Sequence, residues 1–196
     1  IPLLLNDSID LVGQAHTGTG KTAAYGLPLL HRINPKLASV QALVLCPTRE
    51  LSQQVKKQLF KFTKYTEKIF CEAVFGGAQI EGQIRALSRP THVLIATPGR
   101  LIDLVKRKAI DLNNVRTIVL DEADEMLSMG FKNELDEILS FLASVESKWL
   151  FSATIPLEIK RIVDEHLSSG AHRIEISGRN VVNKNIIHQF VIADEL

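Results

Sequence analysis

The sequence has few of the features that mark secreted, membrane or low-complexity chains. Its two cysteines, Cys46 and Cys71, stand in apolar runs without a CxxC partner. They predict buried free thiols in a reducing compartment. No apolar run approaches the ~18 residues of a membrane span, and the opening IPLLL is too short for a signal peptide. The abrupt start leads us to expect further sequence before Ile1.

Net charge and aromatic residues are also scarce. The formal charge is +1 and aromatic residues make up 6% of the chain. Any nucleic-acid binding must therefore come from a local patch, with little stacking on bases. The 196 residues, 45% hydrophobic and 23% charged, are typical of one globular domain with a substantial core.

Short β-branched runs alternate with helical patterns along most of the chain, which predicts strand–helix–strand units. Such units form a doubly wound, mostly parallel sheet with helices on both faces. In one helical segment, 48–62, Leu51, Val55, Leu59 and Phe62 mark a buried face, and Lys56, Lys57 and Lys61 point outward. We predict seven strands, at 9–14, 40–46, 69–75, 91–97, 115–120, 147–153 and 172–176, and an eighth strand-like run at 186–192.

The first strand ends in the stretch AHTGTGKT, residues 15–22. Gly18 and Gly20 allow backbone N–H groups to converge on phosphate oxygens at the start of a helix. Lys21 can reach the β- and γ-phosphates, and the Thr22 hydroxyl can ligate Mg²⁺. Ala15 replaces the usual first glycine where the loop leaves the strand. The alternative is a glycine-rich turn that only joins strand to helix. The predicted nucleotide-binding residues are Ala15, His16, Thr17, Gly18, Thr19, Gly20, Lys21 and Thr22.

The fifth strand ends in Asp121, Glu122, Ala123 and Asp124. An acid after an apolar strand can hold Mg²⁺ beside the phosphates, so we predict that Asp121 binds the metal through water. Glu122 is then the general base that polarises the attacking water. Taken alone, these acids also fit a helix N-cap. Together with the loop at 15–22, they predict a nucleotide–Mg²⁺ site.

Other strand ends carry hydroxyls, glycines, prolines and arginines. Ser152 and Thr154 lie at the end of the sixth strand and can bond to Asp124, although an ordinary strand-end turn explains such a tripeptide better when it is taken alone. In Thr97–Pro98, threonine can cap a helix and proline can take its first position. Three such ends in a row predict a track for the sugar–phosphate backbone of one single strand, although each end taken separately is more often an ordinary helix cap. The residues of these ends are Pro47, Thr48, Arg49, Gly76, Gly77, Thr97, Pro98, Gly99 and Arg100, and they are the predicted RNA contacts if the strand is RNA, as the resemblance described next implies.

In this order and at these separations, AHTGTGKT, PTREL, GG, TPGR, DEAD and SAT resemble the DEAD-box RNA helicases. The resemblance covers essentially the whole chain and implies a single RecA-like P-loop domain. It implies that Lys21, Asp121 and Glu122 serve catalysis, that Asp124, Ser152 and Thr154 couple ATP state to strand separation, and that the cofactors are ATP and Mg²⁺. Alanine at position 15 is common in this family.

The resemblance also predicts what lies beyond this chain. We expect residues 1–180 to be the first of two RecA-like domains, and 181–196 to be a terminal strand and the start of a linker. The second domain's HRxGR pattern does not occur, and the family's adenine-reading glutamine would precede Ile1. The expected partners are single-stranded RNA and that second domain; no membrane is expected, the location is cytoplasmic, and protein partners stay unknown.

Two other functions share these motifs. An ATP-gated RNA clamp would hold RNA without processive unwinding, and a DNA-directed motor would use the same loop architecture. PTREL, TPGR and DEAD argue against the DNA motor, whereas the motifs do not separate helicase from clamp.

Overall fold

The computed structural model describes residues 1–6, 8–16, 18–65, 68–142 and 145–176. Seven strands form one sheet: β1 Leu11–Gln14, β2 Ala42–Leu45, β3 Cys71–Val74, β4 Val93–Ala96, β5 Thr117–Leu120, β6 Ser147–Ser152 and β7 His172–Glu175. Each predicted strand from 9 to 176 is confirmed. The eighth run, 186–192, and the expected linker lie outside the described residues.

Eight helices connect or flank these strands among the described residues. They are α1 Pro2–Asn6, α2 Lys21–His31, α3 Arg49–Phe62, α4 Ile80–Leu87, α5 Pro98–Lys106, α6 Ala123–Ser128, α7 Lys132–Phe141 and α8 Leu157–His166. Among them, no helix combines the length and apolar character that crossing a membrane requires.

The sheet order is β3-β4-β2-β5-β6-β1-β7, and every described strand pair is parallel. Side chains alternate between two apolar clusters, as the period of two in a strand requires. In β2, for example, Leu43 faces the cluster formed with α5, α7 and α8, whereas Val44 faces the cluster formed with α2 and α3. The predicted three-layer α/β architecture is therefore confirmed.

Helix α3 shows how local pattern and packing agree. Thr48 is its N-cap, and the Thr48 hydroxyl accepts a hydrogen bond from the Leu51 N–H at 3.2 Å. Val55 and Leu59 are fully buried, and Leu51 and Phe62 pack partly buried at the margin of the same face. Lys57 and Lys61 are exposed, as predicted.

The predicted burial of the cysteines holds for one of them. Cys46 is fully buried directly after β2. Cys71 begins β3, which among the described strands pairs with β4 alone and lies at the edge of the sheet, and this cysteine remains partly exposed. Burial still raises the pKa of the Cys71 thiol to about 12.

Hydrogen bonds continue past the ends of the strands and keep these ends level. The Ala15 N–H donates to the Ser152 carbonyl, and the Asp121 N–H donates to the Leu45 carbonyl, both at 2.9 Å. The Thr97 N–H donates to the Val74 carbonyl at 3.1 Å. The residues singled out in the sequence therefore meet along one edge of the sheet, where ligands bind in open parallel sheets.

Candidate functional site

The loop after β1 has the backbone geometry that its glycines allow. Gly18 and Gly20 have φ values of 83° and 88°, in the left-handed region that favours glycine. Gly20 occupies the N-cap of α2 and has no side chain to cap it. The first N–H groups of α2 are therefore available to an anion, which the helix dipole also favours. Thr17, a predicted loop residue, lies outside the described residues.

Lys21 folds back across this loop. Its Nζ donates to the Ala15 carbonyl at 2.9 Å, and the Thr19 hydroxyl donates to the His16 carbonyl at 2.7 Å. Ala15 takes part through its backbone carbonyl, so this contact does not require the glycine that usually stands at this position. His16 is exposed and contributes its carbonyl.

Asp121 is the most buried acid of the site, with 2% of its surface exposed. The Tyr25 hydroxyl donates to Asp121 Oδ2 at 2.7 Å. The other oxygen, Oδ1, is buried and has no hydrogen-bond partner among the described residues. Burial raises the pKa of this carboxyl, while Tyr25 and Lys21 oppose the shift.

Glu122 has an unusual backbone for a residue with a side chain. Its φ and ψ are both 53°, in the left-handed region, and such strain costs about 1–3 kcal/mol. It stands at the N-cap position of α6, but its side chain makes no capping hydrogen bond. The helix-cap alternative therefore does not explain this acid. Burial and then the charge of Asp121 raise the pKa of the Glu122 carboxyl, and Lys21 lowers it.

One cleft contains the loop and both acids. Gly18, Gly20, Lys21 and Thr22 line it together with Asp121 and Glu122, and α3 supplies another wall with Gln54, Gln58 and Phe62. The structure thus brings the two halves of the predicted nucleotide site to one place. An unpartnered carboxylate oxygen beside a lysine and a threonine hydroxyl suits a Mg²⁺ ion with its phosphate ligands.

Asp124 and the residues after β6 form a second, adjacent cluster. The Thr154 hydroxyl and N–H both donate to Asp124 Oδ2, at 2.8 and 2.9 Å. The Ser152 hydroxyl accepts from the Asp124 N–H at 3.2 Å and donates to the Thr154 carbonyl at 2.7 Å. Burial raises the pKa of Asp124, but the hydrogen bonds that Thr154 donates to its carboxyl outweigh that effect, and the pKa lies below its ordinary value.

The other three strand ends are joined to one another. The Arg49 guanidinium lies over the Phe75 ring, 4.9 Å from its centroid. The Gly76 N–H donates to the Thr97 hydroxyl at 3.3 Å, and Arg100 Nη2 donates to the Ala78 carbonyl at 3.0 Å. The residues after β2, β3 and β4 therefore form a continuous edge.

Two details of this edge differ from the prediction or add to it. Thr97 is at the N-cap of α5 and Pro98 takes the first helical position, but the Thr97 hydroxyl caps nothing. It accepts from Gly76 instead, because α4 and β3 bring that N–H within reach. Gly77 has φ 75°, whereas a Cβ at Gly76 or Gly99 would meet no atom within 4 Å.

Sequence reasoning missed two residues that hold the site in place. Tyr25 is fully buried on α2, four residues after Lys21, and orients Asp121. Gln83 on α4 accepts from the Phe75 N–H and donates to the Phe75 carbonyl, at 3.1 and 3.0 Å. A glutamine within the apolar stripe of Ile80, Ile84 and Leu87 was the available signal for a buried polar role.

Comparison with known proteins places these features in a family context. A family model described as DEAD/DEAH box helicase matches residues 1–162. The chain is 44% identical over 192 residues to the DEAD-box ATP-dependent RNA helicase CshA of Streptococcus pneumoniae serotype 4, covering 98% of this chain and 36% of that protein. The CshA of Bacillus subtilis is 45% identical over 186 residues, 95% of this chain and 37% of that protein. The chain thus spans about a third of the length of these relatives.

Solved structures give the same result. A DEAD box protein from Methanococcus jannaschii aligns with a TM-score of 0.83 at 37% identity, over 89% of this chain and 47% of that one. The yeast DEAD-box splicing factor Prp28 aligns with a TM-score of 0.82 at 32% identity, over 90% of this chain and 43% of that one.

Proposed function

Because this chain belongs to the DEAD/DEAH box helicase family, we propose that it is the ATP-binding RecA-like domain of an RNA helicase. In this proposal, the cleft binds ATP and Mg²⁺, the joined strand ends hold one RNA strand, and ATP hydrolysis drives local separation of a duplex. Residues 15–22 form the nucleotide loop, and residues 1–180 form the first of two such domains. We expect the protein to act in the cytoplasm, because Cys46 and Cys71 are free thiols and such thiols persist in a reducing compartment.

The observation that carries the proposal is the buried Oδ1 of Asp121, which none of the described residues hydrogen-bonds, in the cleft that Lys21 and Thr22 also line. A buried polar atom without a partner costs free energy. A bound cation, or a water that it holds, would supply the missing partner. Asp121, through water, and the Thr22 hydroxyl would hold Mg²⁺. The ion supplies neutralisation of the charge on the transferred phosphate.

Lys21 and Glu122 have separate tasks in hydrolysis. Lys21 is 2.9 Å from the Ala15 carbonyl, and it would exchange this neutral acceptor for phosphate oxygens, which are stronger partners. Glu122 would accept a proton from the attacking water. The pKa of Glu122 is raised toward the operating pH, and a general base is most effective when its pKa lies near that pH.

The strand-end edge suits a sugar–phosphate backbone. The open surroundings of Gly76 and Gly99 mean that packing does not require glycine at either position. Close approach of a sugar–phosphate backbone would explain glycine at both positions. The start of α5 beside Arg100 also offers N–H groups and positive charge to phosphates. The proposed RNA contacts are the nine predicted residues at this edge: Pro47, Thr48, Arg49, Gly76, Gly77, Thr97, Pro98, Gly99 and Arg100.

Asp124, Ser152 and Thr154 would couple the two sites. Their hydrogen bonds join the end of β6 to the helix that begins one residue after Glu122. If nucleotide binding moves Asp121 or Glu122, the movement would therefore be passed through Asp124 to the residues after β6. We propose that the second domain supplies charge-stabilising arginines, an effect worth about 10³-fold or more in related phosphoryl transfers. The described domain alone should accordingly hydrolyse ATP slowly.

Steady-state ATP hydrolysis tests this proposal. It would be measured with and without single-stranded RNA, for this chain and for a chain extended into a second domain. RNA-stimulated turnover in the extended chain, lost in Glu122→Gln, is the expected result. Glu125→Gln is the matched control, because Glu125 lies in the same helix outside the cleft-lining set. Equal stimulation by DNA of the same sequence, or strong turnover by this chain alone, would contradict the proposal.

A further inference from the structure

A groove between α3 and the edge strand β3 combines apolar and basic side chains away from the nucleotide cleft. Its lining is formed by Gln53, Lys56, Lys57, Phe60, Ile69 and Cys71. Phe60 is 69% exposed, an unusual position for a phenylalanine. Neither the nucleotide cleft nor the strand-end edge explains this residue.

The surroundings of the groove are basic. One face of α3 carries Lys57, Phe60 and Lys61, at positions i, i+3 and i+4. Lys64 continues this face three residues after Lys61, just past the end of the helix. Among the described residues, Lys57 and Lys61 make no ion pair, whereas Lys56 pairs with Glu72. Unpaired lysines beside an exposed aromatic ring are available to a negatively charged ligand.

One further aromatic residue lies at the same end of α3. Tyr65 is 88% exposed and its ring lies under Lys64, with Nζ 5.0 Å from the ring centroid. Lysines interleaved with exposed rings are what a single nucleic-acid strand requires, since phosphates pair with the charges and bases stack on the rings.

The position of the groove relates it to the strand-end edge. Helix α3 begins at Arg49, one of the proposed RNA contacts, and Phe60 lies about 16 Å further along the same helix axis. A strand that leaves the edge at Arg49 can therefore continue along α3 to the groove.

We infer that the groove lined by Lys57 and Phe60 is a second contact site for single-stranded RNA, used by RNA that extends beyond the strand-end edge. The inference rests on the proposed function for the identity of the nucleic acid. A protein partner fits the groove less well, because lysine is depleted from the cores of protein interfaces.

Fluorescence anisotropy tests the inference with this chain and two labelled oligouridines, of 8 and 25 nucleotides. The groove variant carries Lys57→Gln and Phe60→Ala. The matched control carries Lys160→Gln and Phe141→Ala, which remove the same charge and an exposed ring from α8 and α7, against the opposite face of the sheet. Circular dichroism melting checks that both variants fold.

The groove variant should bind the 25-mer about fivefold or more weakly, since one base stack is typically worth at least that factor. It should bind the 8-mer as the unchanged chain does, and the control should bind both RNAs normally. A 25-mer with 4-thiouridine should also crosslink to the peptide containing Phe60.

The outcomes separate this inference from the proposed function. Normal binding of both RNAs by the groove variant, or a missing crosslink, overturns the second site and leaves the strand-end edge intact. Equal weakening on both RNAs also overturns it, because the groove would then not be specific to the longer strand. If the unchanged chain binds neither RNA, both the inference and the proposed RNA track fail.

Discussion

Tyr25→Phe removes the only hydroxyl that reaches Asp121 among the described residues. The bond from Tyr25 to Asp121 Oδ2 is 2.7 Å long and buried, and Oδ1 has no hydrogen-bond partner within the described part of the chain. Phenylalanine keeps the ring contact with Phe151, whose centroid lies 5.3 Å away. The substitution therefore removes the Tyr25 hydroxyl with little change in packing, and with it the hydrogen bond to a buried carboxylate and a contact with Thr22.

A hydrogen bond to a charged group is worth about 1.5–3 kcal/mol, so we expect the free energy of unfolding to fall by about 2 kcal/mol at pH 7.5. For a domain of this size that corresponds to a melting temperature about 4–8 °C lower. Urea denaturation, followed by circular dichroism, measures the free energy. Tyr65→Phe is the control, since Tyr65 is 88% exposed and should change stability by less than about 0.5 kcal/mol.

The pH dependence gives a sharper test. Burial raises the pKa of Asp121 in the folded chain above its value in the unfolded chain. The contribution of Asp121 to the free energy of unfolding is therefore complete below the unfolded-state pKa, and it is lost as the pH rises through the folded-state pKa. The Tyr25 hydroxyl reduces that loss by stabilising the ionised form. The deficit of Tyr25→Phe should therefore shrink toward about 1 kcal/mol as the pH falls toward 4, where a neutral bond remains. A deficit that is independent of pH, or below 0.5 kcal/mol at pH 7.5, would refute this reasoning.

Three further substitutions have expected outcomes of different sign. Glu122→Gln should raise the melting temperature at pH 7.5 but not near pH 4, because the raised pKa of Glu122 means that its ionisation costs stability as pH rises; equal shifts at both pH values would contradict this. Gly99→Ala should stabilise the chain by about 0.5–1 kcal/mol, since Gly99 lies in the first turn of α5 with open space around it, yet weaken RNA binding in anisotropy measurements. If the affinity for RNA is unchanged, close backbone approach at Gly99 is wrong. Thr154→Val removes one of two donors to Asp124 Oδ2 and should cost less than about 1 kcal/mol. In an extended chain it should reduce unwinding per ATP hydrolysed, with Ser128→Ala as an exposed hydroxyl control, and unchanged coupling would count against the role of Thr154.

The strands and the nucleotide loop could be predicted because their signals are local. An apolar run followed by Gly, Lys and Thr fixes a strand, a turn and a helix start within a few residues. The level ends of parallel strands then bring Lys21 and Asp121 into one cleft, although a hundred residues separate them.

The supporting contacts could not be predicted in this way. Tyr25 and Asp121 are 96 positions apart and touch only because α2 packs over β5 and its neighbours. Thr97 fits the sequence signature of an N-cap, yet its hydroxyl binds Gly76 because tertiary packing offers a second donor. The left-handed backbone of Glu122 is likewise imposed by its position between β5 and α6, and no local propensity favours it.

The most direct test of the account is calorimetric titration of ATP into this chain, with Mg²⁺ and with excess EDTA. Measurable binding should require Mg²⁺ and should be lost in Lys21→Ala. In Asp121→Asn the affinity with Mg²⁺ should fall to the level seen in EDTA, because the negative charge of the carboxylate no longer serves the ion. Lys56→Ala, which removes a lysine paired with Glu72 outside the cleft, should bind as the unchanged chain does. ATP affinity that is independent of Mg²⁺ and unchanged in both cleft variants would contradict the assignment of this cleft as an ATP–Mg²⁺ site.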